Sequence, residues 1–222
     1  TKALALPGDL TDREFLEEVS RVAEDYAPRI VVNNAGYGMM GYLIQHDYDD
    51  YLEMLKVDEE AVLFFTHSFC RRFYEAGRPG AIINVSSANA DFDRGIPFSA
   101  VYSSSKSMVK QFSEAVYYEM KPFGIDVLSV SPGPTRTSFQ KRANTNTLIF
   151  CESPENVVEK SLETLGRRPS VTTNVYTRLL LATYKLLPLS QHKKMDIRAW
   201  LFGGVLGKRE HITLDSLHRT AH

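Results

Sequence analysis

Ala81-Ile-Ile-Asn-Val-Ser-Ser87 is a buried-strand run ending in two hydroxyls, and its place in the succession of elements decides the fold. Beyond a loop over residues 88–97 comes a helical pattern over 99–122. A second buried-strand run over 125–131 then lies within Gly124-Ile-Asp-Val-Leu-Ser-Val-Ser-Pro-Gly-Pro-Thr-Arg-Thr137. Strand, helix and strand of these lengths predict a parallel sheet wound with right-handed crossovers. The intervening helix carries Tyr102-Ser-Ser-Ser-Lys106, and a Tyr and a Lys four residues apart project from one helix face. A free phenol titrates near pH ~10, but a nearby ammonium favours the phenolate and lowers that pKa, so the pair can act as a proton donor. Tyr-x-x-x-Lys also arises by chance on solvated helices, and its surroundings therefore carry the weight.

Those surroundings are ordered. Upstream, Arg29-Ile-Val-Val-Asn-Asn-Ala-Gly36 is a short apolar strand running into small residues that let backbone approach a flat ligand. Residues 1–10 read as a strand ending at Asp9, and Thr11 with Glu14 as a capping box opening a helix to residue 26. A long helix is expected over 48–76, stopped by Gly77 and Pro79-Gly80. Ser153-Pro154-Glu155 opens another to residue 165, with Pro in the first turn, and 171–173 suit a last short strand. Each strand ends in polar or glycine chemistry, and the carboxyl edge of strands in open α/β sheets is where ligands bind.

Bulk properties set limits. A chain of 222 residues, 43% apolar, suits one domain with a sizeable core. Its formal net charge of -1 and the absence of a long basic block argue against a nucleic-acid partner. Cys70 and Cys151 have no Cys or His at metal-ligand spacing and read as reduced thiols of a cytoplasmic protein. His46, His67, His192, His211, His218 and His222 form no ligand spacing, so no metal is expected. No signal segment is visible, and no apolar run reaches the ~20 residues of a membrane span. Residues 175–187 are apolar with Arg178 and Lys185 interleaved and Lys193 and Lys194 beyond. They could form a core or lid helix, an oligomer contact or a peripheral membrane helix.

Taken in order, Asn33-Asn34-Ala35-Gly36, Ser87, Tyr102-x-x-x-Lys106 and Pro132-Gly133-Pro134-Thr135 resemble the short-chain dehydrogenase/reductase family, from Asp9 to about Arg168. Residues 131–139, followed by Ser153-Pro154-Glu155, look most like a bacterial subgroup related to 3-oxoacyl and hydroxysteroid reductases. The resemblance implies a Rossmann-like doubly wound α/β fold, with residues 1–174 the dinucleotide-binding domain and 175–222 a helical extension of it. It implies an NAD(P)-dependent oxidoreductase that moves a hydride between nicotinamide and a carbonyl or secondary alcohol, working as a homo-oligomer on a small-molecule substrate. Tyr102 would be the catalytic acid or base, and Lys106 would tune it and hold the nicotinamide ribose. Ser87 would orient the substrate oxygen, with Ser86 as its rival in register. A solvated helix lysine is the plain reading for Lys110.

Asp58, in Met54-Leu-Lys-Val-Asp58, stands where the family usually has an Asn that holds a proton-relay water. It could pair with Lys106 and alter the acidity of Tyr102, or be a surface carboxylate beside Glu59 and Glu60. For cofactor binding the resemblance implies Asn34, Ala35, Gly36, Tyr102, Lys106, Pro132, Gly133 and Thr135, with Asp9 near the adenine unless it is a turn aspartate. Asn33 would tie strands together, and Arg136 could meet an anionic substrate or cofactor, with a surface arginine as the plainer reading. The glycine-rich turn that holds the pyrophosphate in such folds does not precede Asn33. The chain is therefore expected to be truncated at its N-terminus, lacking the first strands, and to bind nicotinamide cofactor weakly on its own. A catalytically inactive binding or regulatory protein is the alternative. Substrate choice would lie with Met39-Met40, residues 91–97 and the segment after Thr137.

Overall fold

A computed structural model describes residues 3–137, 139 and 150–205. Four parallel strands form one sheet in the order β1 (Ile30–Asn33), β2 (Gly80–Val85), β3 (Ile125–Ser131) and β4 (Ser170–Thr172). The helices are α1 (Arg13–Tyr26), α2 (Tyr48–Leu55), α3 (Ala61–Glu75), α4 (Ala100–Met120), α5 (Pro154–Thr164), α6 (Val175–Leu186) and α7 (Gln191–Val205). Successive strand residues point to opposite faces, which sorts the core into two layers. Ile82, Ile125 and Val127 pack with Leu16, Phe65, Phe69, Phe73 and Tyr117 from α1, α3 and α4. Ile83, Leu128 and Val130 on the other face pack against Val157 and Leu165 at α5. On that second face β1 is uncovered, with Ile30 and Val32 49% and 55% exposed.

The strand expected over residues 1–10 is absent from the described part, residues 3–9 being irregular. A strand needs a partner ladder for its backbone groups, and no described strand pairs with this segment. The capping box also differs. Asp12, not Thr11, caps α1, its carboxylate accepting from Glu14 N at 2.9 Å, while Asp9 Oδ1 accepts from Thr11 N at 2.8 Å. The single helix expected over 48–76 is α2 and α3 joined by a π-helical turn, Lys56–Glu60. Such turns insert one extra residue and re-aim side chains, often at functional sites. The remaining elements lie within two residues of their expected bounds, although Ser86 and Ser87 fall beyond the end of β2.

A buried polar ladder ties the sheet to its helices. Asn33 donates to Asn84 Oδ1 at 2.7 Å, and Asn84 donates to Ser113 Oγ at 2.9 Å and to Thr66 Oγ1 at 3.2 Å. Asn84 is wholly buried, so each of its bonds replaces one lost to water. Asn84→Ala should strand these partners and cost about 1–3 kcal/mol. The denaturant midpoint should fall with an unchanged slope, and an unshifted midpoint would show the ladder to be dispensable.

Candidate active site

The carboxyl ends of β1, β2 and β3 all run into the loops that carry the candidate residues, as a parallel sheet requires. The first turn of α4 sets Tyr102 in the interior, and Lys106 comes one turn later, also buried. Lys106 Nζ lies 5.9 Å from the centroid of the Tyr102 ring and 3.3 Å from Asp58 Oδ2, and it donates to Val85 O at 3.4 Å. Asp58 is 0% exposed, which excludes the reading as a surface carboxylate. The π-helical turn delivers it to this position, where its Oδ1 accepts from Tyr37 N at 3.1 Å and its Oδ2 from Ser105 Oγ at 3.4 Å. Gly36 fits beside the pair only because it lacks a side chain. A Cβ there would come within 2.7 Å of Asp58 Oδ1 and 2.9 Å of Lys106 Nζ.

The two serines separate by their partners. Ser86 Oγ is turned onto α4, donating to Lys106 O at 2.6 Å. Ser87 caps the short 3-10 turn Ala88–Asp91 by accepting from Asn89 N at 3.2 Å, and its side chain also hydrogen-bonds Tyr102. Ser87 is therefore the hydroxyl that faces the phenol. Phe139 closes on the Tyr102 ring with centroids 5.8 Å apart.

The electrostatics run against the simple expectation for the Tyr-Lys pair. Burial pushes the Tyr102 phenol well above its ordinary value, the bond from Ser87 pulls it down, and the Asp58 carboxylate raises it again. The Lys106 charge that should acidify Tyr102 is met instead by Asp58. Burial raises Asp58 as well, with Lys106 and the Tyr37 N–H partly offsetting the shift.

Of the other expected residues, Asn34 and Ala35 are exposed at the end of β1. Pro132, Gly133 and Thr135 are half-buried in the turn after β3, which is joined to the Ser87 loop by Ala88 N donating to Pro132 O at 2.9 Å. Asp9 is exposed at the start of α1 with its carboxylate turned onto Thr11, the arrangement of a turn aspartate. Lys110 is not simply solvated, since it pairs with Asp91, whose other oxygen accepts from Thr172 Oγ1 at 2.8 Å. Most of the segment after Thr137, at residues 138 and 140–149, and His211, His218 and His222 lie outside the described residues.

Two residues emerge only in three dimensions. Glu152 Oε1 accepts from Gly133 N at 3.1 Å and from Thr173 Oγ1 at 2.6 Å, while Oε2 accepts from Asn156 Nδ2 at 2.6 Å. One carboxylate thus pins the Pro-Gly turn to β4 and α5. Arg198, buried in α7, donates to Arg94 O at 2.7 Å, Tyr184 Oη at 2.6 Å and Asp93 Oδ1 at 2.5 Å, anchoring the loop that leads into Tyr102. Neither residue belongs to a spacing motif, so no local signal marks it.

Residues 1–148 match the family model described as short chain dehydrogenase, and the chain belongs to that family. An L-2,3-butanediol dehydrogenase of Corynebacterium glutamicum is 29% identical over 178 residues, covering 78% of this chain and 68% of the relative. A solved 7beta-hydroxysteroid dehydrogenase superposes with a TM-score of 0.73 at 22% identity, covering 87% of this chain and 75% of that one. A Sphingobium yanoikuyae short-chain dehydrogenase, solved with NADPH, gives a TM-score of 0.66 at 24% identity, covering 93% and 75%. Both show a shared Rossmann-type α/β fold. The alignments span between 49 and 68% of the length of the first four curated relatives.

The position of Asp58 generates a measurable sign. Its carboxylate raises the Tyr102 pKa, so Asp58→Asn should let Tyr102 ionise at lower pH. Phenolate absorbance, taken as the difference between each protein and its Tyr102→Phe counterpart, reads this directly. A titration that does not move, or moves upward, contradicts the assignment.

Proposed function

We propose that this protein is an NAD(P)-dependent oxidoreductase interconverting a carbonyl and a secondary alcohol. One observation carries the reading: a buried phenol, a hydroxyl hydrogen-bonded to it and a buried ammonium–carboxylate pair converge where parallel strands end. Family membership and the NADPH complex of the Sphingobium yanoikuyae relative support it. The residues present suit the nicotinamide end of the cofactor. Gly36 brings the backbone directly against Asp58 and Lys106, and Gly133 packs against Asn174 and Thr177, so neither position has space for a side chain. Lys106, Asn34, Ala35, Gly36, Pro132, Gly133 and Thr135 would hold it, and the bound nicotinamide supplies or takes the hydride.

In the reducing direction Tyr102 donates its proton to the substrate oxygen as the carbonyl carbon gains a hydride, giving the alcohol. A phenol kept protonated by burial and by the Asp58 charge is suited to that role. Ser87 donates to the same oxygen and fixes its orientation. Lys106, its ammonium 5.9 Å from the Tyr102 ring centroid and in contact with Asp58, would return a proton to the phenol. In the oxidising direction Tyr102 must first lose its proton, which its raised pKa opposes.

A cytoplasmic homo-oligomer completes the reading, for Leu63, Tyr74, Tyr118 and Phe123 leave large apolar side chains exposed around α3 and α4. α6 and α7 would then be an extension of the same domain, carrying Arg198 onto the substrate loop.

With saturating NADH or NADPH the protein should reduce at least one member of a ketone set, or with saturating NAD+ or NADP+ oxidise at least one member of a secondary-alcohol set. Tyr102→Phe should lower kcat by roughly 10²–10⁴ while the cofactor KM holds. Equal rates in the variant, or no turnover with any pair, would refute the proposal. Alcohol oxidation should rise with pH along a limb set by Tyr102, and Asp58→Asn should shift that limb toward lower pH. An unchanged profile would place Asp58 outside the proton path.

A further inference from the structure

We propose that α6 docks this protein on an anionic lipid surface. The helix turns Leu181 and Tyr184 into the fold, where Tyr184 meets the Phe92 ring edge-on at 5.6 Å and accepts from buried Arg198. Its opposite side is apolar as well. Tyr176, Leu179 and Leu180 recur at a helical spacing that places them on one stripe, with Leu186 beside Leu179 and Leu187 just past the end of the helix. Leu179 is 60%, Leu180 57% and Leu186 82% exposed. Phe150 packs on Tyr176 with ring centroids 4.7 Å apart and widens the patch. A surface helix that is apolar on both sides requires a second apolar neighbour.

Charge selects the neighbour. Between Glu163 and Asp196 the chain holds Arg167, Arg168, Arg178, Lys185, Lys193 and Lys194 and no Asp or Glu. Lys194 is turned inward over the Tyr184 ring, whereas Arg178, Lys185 and Lys193 are exposed on α6 and at the start of α7. A second copy meeting this stripe across a two-fold axis would present the same patch to itself and oppose cation to cation. Lipid phosphates carry the opposite charge, and an interfacial helix sinks its apolar side to the boundary between headgroups and acyl chains. Asn174, which caps the start of α6, lies beside Gly133, so a lipid-bound α6 would hold the rim of the candidate site at the interface.

Vesicle co-sedimentation tests the proposal. The protein should pellet with mixed phosphatidylcholine–phosphatidylglycerol vesicles, remain in the supernatant with phosphatidylcholine alone, and be released by salt. Leu179→Glu with Leu180→Glu should abolish pelleting. Arg178→Gln with Lys185→Gln should weaken it by roughly 10- to 30-fold. All four positions are exposed, so the circular dichroism of both variants should match the parent. No association with the mixed vesicles, equal association with phosphatidylcholine alone, or variants that pellet like the parent would each overturn the proposal. So would light scattering in which the Leu pair breaks an oligomer while lipid association is unchanged, because the stripe would then cover a second copy.

Discussion

An ammonium and a carboxylate 3.3 Å apart, both nearly withdrawn from water, are the constraint around which this molecule is arranged. Neither charge could be buried alone, since each would then carry an uncompensated desolvation cost of several kcal/mol. Keeping them together draws on four parts of the chain. The π-helical turn presents Asp58, α4 presents Lys106 and Ser105, the end of β2 gives a carbonyl, and the loop after β1 gives the Tyr37 N–H. Gly36 is bare because the pair occupies the space a side chain would need.

The same pair sets the acid–base character of the site. A lone lysine near a buried phenol would stabilise the phenolate, but a lysine answered by a carboxylate leaves burial and the negative charge to dominate. At Asp58, where the resemblance to the family implies a neutral amide, this chain has a carboxylate. The consequence is a phenol held in its protonated form.

Much of the architecture was legible in short stretches. β3 spans the residues its apolar run outlined, α5 begins at the Ser153-Pro154 signal, and the order of strand and helix implied parallel pairing. Residues 3–9 show the opposite case, for apolar character gives a segment the capacity to be a strand, while pairing needs a neighbour. The π-helical turn was illegible because one extra residue leaves the helical periodicity of residues 48–76 almost unchanged. The choice between Ser86 and Ser87 turned on which hydroxyl the α4 backbone captures, a contact spanning 20 residues of sequence.

Periodicity and the chemistry at strand ends outlined an α/β chain with parallel pairing, and the ordered short motifs carried the resemblance to this family and to its Tyr102 and Lys106 pair, because those signals reside in neighbouring residues. The burial of Asp58, the direction in which Tyr102 shifts, and the anchoring by Glu152 and Arg198 emerged only from the folded chain. Each depends on groups distant in sequence brought within a few ångströms at low dielectric, where the sign of an interaction is set by all the neighbours together.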